Sequence, residues 1–200
     1  MSFSKSTVQT TIELLRKYDR PGPRYTSYPT VPVWSQSQGP TEYATALEKA
    51  SHHVDQPLAL YCHIPFCRAR CLYCGCTTLI TSKQDVVRSY LDLLHIEIDR
   101  IAGLLGGRKC VNQLHFGGGT PSSAGPDGLA ALVDHFKKAF RLASDCEMSI
   151  ELDPRTITVQ MLADLKKLGF NRLSIGIQDL DPPVQEAVAR IKPFEMVADV

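Results

Sequence analysis

From Leu58 to Arg190 short apolar runs alternate four times with stretches of helical periodicity, and that alternation leaves few folds open to the chain. LALYCHIP (58–65), VNQLHFGGGTP (111–121), EMSIELDP (147–154) and NRLSIGIQD (171–179) read as strands. QDVVRSYLDLLHIEIDRIAGLL (84–105) puts Val87, Leu91, Leu94, Ile98, Ile101 and Leu105 on one helical face. DGLAALVDHFKKAF (127–140) does the same with Leu129, Leu132, Val133, Phe136 and Phe140. VQMLADLKKLG (159–169) ends on Gly169, suited to the left-handed residue that closes a helix, and PPVQEAVAR (182–190) begins a fourth helix. Short links between unlike elements predict parallel strands joined by right-handed crossovers. Either an open doubly wound sheet or a barrel satisfies this. Four β/α units are about half of an eight-unit barrel. The expected class is α/β with parallel strands; closed as a barrel it would be a partial TIM-like barrel, and the chain reads as a piece of a longer protein.

Upstream, residues 7–18 carry Val8, Ile12 and Leu15 at helical spacing. DRPGPRYTSYPTVPVW follows, and its prolines fix φ and disfavour helix before them, so it reads as an extended arm. Thr41 is placed to cap a second helix reaching about Ser51. The expected division is residues 1–55 as helix and arm, and 56–200 as barrel. A hydrophobic share of 44% and a net charge of +1 give no reason to expect nucleic acid or a membrane surface as partner. The N-terminus lacks the apolar run of a signal peptide, and no stretch approaches the ~20 apolar residues of a membrane span. A cytoplasmic protein is expected, and there clustered cysteines bind metal more often than they form disulfides.

Four of the seven cysteines lie in CRARCLYCGC (67–76). Structural zinc commonly uses two Cys-x-x-Cys-like pairs on separate segments. Cys71 and Cys74 form one such pair, but no second pair stands at a typical distance, and only Gly75 separates Cys74 from Cys76. A ferredoxin-type cluster needs four thiolates, often with a proline after the last, whereas Thr77 follows Cys76. The third reading is Cys67-x3-Cys71-x2-Cys74. Three thiolates on a four-iron cluster leave one iron open, the mark of a reactive centre. The glycines of GGGTP end the second strand, where they let backbone approach a ligand closely. Glu151 lies in the third strand, where a carboxylate must be paired or face a cavity. Gln178 ends the fourth. All these segments fall at C-terminal strand ends, the rim where parallel folds gather their chemistry.

The three-cysteine spacing is the signature of the radical S-adenosylmethionine enzymes. The chain further resembles the N-terminal part of the oxygen-independent coproporphyrinogen III oxidases. The matching stretches are GPRYTSYPT (22–30), YCHIPFC (61–67), CRARCLYCGC, LHFGGGTP (114–121), SIELDPR (149–155) and GFNRLSIGIQD (169–179). Related haem chaperones share the three-cysteine core. They usually lack the GPRYTSYPT arm and carry an aromatic residue where Cys76 stands, so both features favour the oxidases.

That resemblance implies a radical S-adenosylmethionine barrel fold. It implies a 4Fe–4S cluster on Cys67, Cys71 and Cys74, with S-adenosylmethionine on the open iron. It implies oxidative decarboxylation of coproporphyrinogen III to protoporphyrinogen IX, with an electron-donor protein and an electron acceptor as partners. A monomer is expected, inactive as these 200 residues alone. Tyr61, Tyr73, Gly118, Gly119, Thr120, Glu151, Gln178 and Arg190 match cofactor contacts of the family. Cys76 matches a fourth cysteine that is not a ligand there, and its role stays open. Asp153 and Arg155 read as a turn residue and a surface charge. His63 and His115 read as satisfied strand histidines. Arg24, Tyr25 and Tyr28 belong to an arm that either straps the domain or covers the substrate. An iron–sulfur electron carrier, or a haem chaperone on the same scaffold, is the competing reading.

Overall fold

The computed structural model describes residues 5–19, 30, 33–35 and 37–199. Arg24, Tyr25 and Tyr28, and with them most of the proline-rich arm, lie outside the described residues. The chain divides into two units, Met1–Pro40 and Thr41–Val200. The first contains helix α1 (Lys5–Tyr18), where helical spacing placed one.

Helix α2 (Pro40–Ser51) belongs, from Thr41 on, to the second unit. Thr41 is not its cap but lies in the first turn, where its carbonyl accepts the Thr45 hydroxyl. Pro40 opens the helix, as its fixed φ and missing N–H suit a first helical position. At the other end, the Arg108 guanidinium donates to the carbonyls of Ala50, Gln56 and Pro57 at 3.0, 2.9 and 3.3 Å. A cation there satisfies orphan carbonyls and complements the helix dipole.

Four parallel strands follow: β1 (Leu58–Ile64), β4 (Cys110–Gly118), β5 (Arg141–Leu152) and β6 (Arg172–Ile175). They lie side by side in that order. Two short strands, β2 (Phe66–Cys67) and β3 (Leu79–Ile80), form a separate parallel pair. Helices α3 (Gln84–Leu104), α4 (Gly125–Ala139) and α5 (Val159–Leu168) link the main strands. Each step moves one strand in the same direction. Right-handed crossovers repeated in one direction must lay every helix on the same face. The core confirms it. Cys62, Ile64, Leu114, Phe116, Met148, Ile150 and Leu152 turn from the strands toward Leu91, Leu94 and Ile98 of α3 and Leu132, Val133 and Phe136 of α4. Phe116 is fully buried, edge-on to Phe136 and Phe170 at 5.9 and 5.3 Å. Burying one such ring contributes about 2–3 kcal/mol.

A doubly wound sheet carries helices on both faces. This sheet has them on one, and its other face is polar. Register runs Tyr61–His115–Ser149–Arg172 across it, then pairs His63 with Gly117 and Glu151 with Ser174. Of the two closures the sequence allowed, the arrangement is an arc of barrel. It is open among the described residues, with β1 and β6 as edges. All four strands end on one rim, at Ile64, Gly118, Leu152 and Ile175. Gly169 closes α5 at φ 109°, as its position in the sequence led us to expect. The fourth helix is shorter than expected: α6 (Pro182–Ala187) is followed by Ala189 at φ 50° and by α7 (Phe194–Ala198). Among the described residues no helix is long and apolar enough to cross a membrane.

The outer helices carry a titratable contact. His95 of α3 and His135 of α4 stack at 4.8 Å with their Nδ1 atoms 2.6 Å apart, and His135 Nε2 lies 2.7 Å from Asp99 Oδ1. One facing Nδ1 must carry a proton and the other must not. Burial holds the His95 pKa below its ordinary value, and the charge of His135 pushes the same way. A depressed histidine pKa adds stability that is complete above ~6.5, the unfolded value, and is lost as pH falls through the folded one. Thermal melts between pH 7.5 and 5.5 should fall less steeply for His95→Gln than for the parent protein.

Candidate metal centre

The cysteine loop leaves β1 through Pro65 and is clasped at its base. The β2–β3 pair is bridged by Leu79 N–H to Pro65 O at 2.8 Å and Thr81 N–H to Cys67 O at 3.0 Å. Thr120 N–H donates to Phe66 O at 2.9 Å, and Gly119 N–H to Ile64 O at 3.0 Å, so the loop and the glycine turn after β4 are stitched together. Leu72 N–H reaches Val188 O at 3.0 Å, tying the far side of the loop to the segment after α6. Within the loop, Cys74 N–H donates to Cys71 O at 3.0 Å, a turn that folds Cys71 and Cys74 together.

These attachments enclose a solvent-open cleft of about 270 Å³ at the strand ends. Its lining brings together Cys67, Cys71, Cys74, Cys76, Tyr73, Gly118, Gly119, Thr120, Glu151, Gln178 and Arg190. Tyr61 is not part of that lining. It stands on the open polar face of the sheet, hydroxyl 2.9 Å from His63 Nδ1 and ring stacked on His115 at 5.7 Å. His63 Nε2 meets the Thr77 carbonyl at 2.9 Å, and His115 Nδ1 meets the Ser149 hydroxyl at 2.7 Å, so both histidines have partners within the sheet and loop.

Glu151 faces the cleft from β5. Its Oε2 accepts Gly118 N–H at 3.2 Å, and Oε1 lies 3.5 Å from His115 Nε2. The glycines are there for space. A Cβ on Gly119 would lie 2.7 Å from Pro65 O and 2.9 Å from Cys67 Sγ. One on Gly118, whose φ is +123°, would lie 2.8 Å from Ile64 O. One on Gly117 would meet the Tyr61 ring at 2.9 Å and Glu151 Oε2 at 3.1 Å. Gln178 lies beyond the strand end, at φ 61°, with Oε1 3.3 Å from Lys192 Nζ.

Among the described residues no three His, Cys, Asp or Glu side chains converge to hold a single metal ion. The loop instead offers thiols set apart around an opening. Burial pushes the Cys67 thiol up and Cys74 and Cys71 push it further, while a hydrogen bond with the Thr120 hydroxyl at 3.4 Å pulls it down. Burial and then Cys74 likewise raise Cys76. Thiols so grouped ionise together only around positive charge. A multi-iron cluster fits that donor set, and the glycine cradle beside it fits a small cofactor.

Two residues depart from their expected places. Asp153 is 5% exposed, which is no ordinary turn position, and Arg155 is not a surface charge. Both line the cleft, where Arg155 and Arg190 bracket Asp153 with N–O distances of 2.6 and 3.2 Å. The signal was in the strand period: Asp153 follows Glu151 by two and faces the same way. Lys192, 1% exposed, also escaped the sequence reading; its Nζ donates to Gly176 O at 3.2 Å beside Gln178.

An arc of parallel barrel with spaced thiols on its rim is the framework of one enzyme class, and the comparison with known families agrees. The chain belongs to the radical SAM superfamily, whose family model matches residues 61–200. Membership implies a 4Fe–4S cluster and S-adenosylmethionine. The chain is 40% identical over 200 residues to the oxygen-independent coproporphyrinogen III oxidase of Synechocystis sp., covering 100% of this chain and 43% of that protein. It is 41% identical over 186 residues to the enzyme of that name from Escherichia coli, covering 93% of this chain and 40% of that one. The solved Escherichia coli coproporphyrinogen III oxidase, described as a radical SAM enzyme, superposes with a TM-score of 0.79 at 39% identity, over 92% of this chain and 40% of that one. The chain thus spans 40–43% of the length of these curated relatives and matches their N-terminal part.

Proposed function

We propose that the chain is the cluster-bearing part of an oxygen-independent coproporphyrinogen III oxidase, an oxidoreductase of porphyrin and haem biosynthesis. The observation that carries it is the convergence of Cys67, Cys71 and Cys74 with the glycine turn, Glu151 and Gln178 in one cleft. An electron carrier has no need of that cofactor cradle. When bound, the cluster and S-adenosylmethionine supply a 5′-deoxyadenosyl radical, the chemistry the protein itself lacks. Cys67, Cys71 and Cys74 hold the cluster and leave one iron without a protein ligand. Gly118 and Gly119 admit the cofactor's methionine end against bare backbone, with the Thr120 hydroxyl beside them. Glu151 accepts from the cofactor's ammonium or ribose hydroxyls, and Gln178 and Arg190 hold its remaining polar groups. The Tyr73 ring covers the adenine end, and Tyr61 supports the glycine turn from the polar face.

The overall conversion turns two propionate side chains of coproporphyrinogen III into vinyl groups with loss of carbon dioxide, giving protoporphyrinogen IX. A reducing donor protein delivers the starting electron, and an acceptor takes the one left after decarboxylation. The cytoplasm, which keeps thiols reduced, suits cluster assembly, and we take the working form to be a monomer. Anaerobic incubation of the reduced full-length enzyme that carries this chain with S-adenosylmethionine, coproporphyrinogen III and an electron acceptor should release carbon dioxide and form protoporphyrinogen IX. Cofactor cleavage without either product, together with tight haem binding, would overturn the substrate in favour of a haem chaperone.

A further inference from the structure

Asp153 is the one buried carboxylate among the described residues. Its Oδ1 accepts from the backbone N–H and the Nε of Arg155, both at 3.0 Å. Its Oδ2 lies 2.6 Å from Arg155 Nη2 and 3.2 Å from Arg190 Nη2. Both guanidiniums also reach the same sulfur: Arg190 Nη1 is 3.2 Å, and Arg155 Nη2 3.9 Å, from Cys71 Sγ. Arg190 Nη2 further donates to Gly176 O at 2.9 Å, which fixes the plane of its fork.

The charge count is uneven. Two guanidiniums, with side chains only 12% and 24% exposed, share one carboxylate. A buried cation without a counter-charge is costly. Besides the carboxylate, both forks reach the Cys71 sulfur. Cys71 is 7% exposed, so water does little to screen the contact.

We propose that Asp153 is a positioning residue that aims Arg155 and Arg190 at the Cys71 sulfur, and that their N–H groups thereby raise the reduction potential of the bound cluster. The inference rests on the cluster reading above. One-electron reduction adds one negative charge to the cluster, and the electron comes from the external donor. Charge-assisted hydrogen bonds to a ligand sulfur favour the more negative state. The role needs an arginine fork rather than a bare positive charge, because one guanidinium must serve carboxylate and sulfur together.

The sign of one shift tests it. Removing the carboxylate's negative charge would by itself make the cluster easier to reduce. Releasing the two guanidiniums from the sulfur makes it harder. An electron paramagnetic resonance titration with dithionite, run on the reconstituted protein, gives the midpoint directly. In Asp153→Asn the midpoint should move to more negative potential. The expected size is about a tenfold change in the reduced-to-oxidised ratio at fixed potential, about 59 mV for a one-electron couple. Arg155→Gln should move it the same way, and Arg155→Lys should also lie below the parent. If Asp153→Asn fails to assemble a cluster, the two Arg155 variants decide. A rise in Asp153→Asn, or a parental midpoint in Arg155→Lys, would overturn the proposal. Absence of any cluster signal in the unsubstituted protein counts against the cluster reading instead.

Discussion

Serine in place of Cys67, Cys71 or Cys74 should remove the cluster. The anaerobically reconstituted protein should hold about four irons per chain, and each of these variants close to none. Formation of 5′-deoxyadenosine should fall to background and not to an intermediate level, because no other group in the cleft can deliver the electron. A serine hydroxyl is far harder to ionise than a thiol and does not replace it on iron. The other cysteines give the contrast. Cys62 turns to the helix-covered side of β1, and burial, with Glu97 adding to it, pushes its thiol up to about 12. Cys62→Ser, Cys110→Ser and Cys146→Ser should therefore keep their iron. Cys76→Ser should keep it as well, because Cys76 is exposed and lies outside the three-ligand spacing. Iron analysis with the absorbance of the reconstituted protein checks the whole series. Loss of iron in Cys76→Ser would make it a ligand and close the open site.

The second large effect is steric. Alanine at Gly119 places a methyl 2.7 Å from Pro65 O and 2.8 Å from Pro65 C, both backbone atoms at the clasp of the cysteine loop. No flexible side-chain end is available to give way, so the clasp itself must shift and carry Cys67 with it. Overpacking of this kind costs on the order of 3 kcal/mol. Gly119→Ala should melt several degrees below the parent and take up little iron. Gly75 is the matching control, in the same loop with nothing within 4 Å of its notional Cβ. Gly75→Ala should melt as the parent does and bind iron normally. Equal melting temperatures for the two variants would show that the glycine turn is not sterically required.

Periodicity made the scaffold readable. The helical stripe of Val87, Leu91, Leu94 and Ile98 is the face that α3 buries, and the apolar run at 58–64 is β1. What failed was what period alone cannot carry. β5 begins at Arg141, six residues before the clear alternation starts, because only Arg141 and Leu142 pair with β4 before the register shifts and pairing resumes at Glu147. β6 stops at Ile175, short of the expected end, and Gln178 comes to the cleft through a left-handed turn that a sequence pattern does not announce. Lys192 is a lysine that composition assigns to the surface; its polar partners, Gly176 O and Gln178 Oε1, come from a segment some fifteen residues upstream and are invisible without the fold. The cysteine spacing, by contrast, needed no fold. The glycine turn and Glu151 came with their strand ends, whereas the Asp153–Arg155–Arg190 cluster appeared only when three chain segments met.

The most direct measurement is single-turnover formation of 5′-deoxyadenosine. The full-length enzyme that carries this chain is reconstituted with iron and sulfide under strict anaerobiosis, reduced with dithionite, and mixed with S-adenosylmethionine. Cleavage that tracks the reduced cluster, and vanishes in Cys71→Ser, is the predicted result. A fully assembled, reducible cluster that leaves S-adenosylmethionine intact would contradict the account and make the centre an electron carrier.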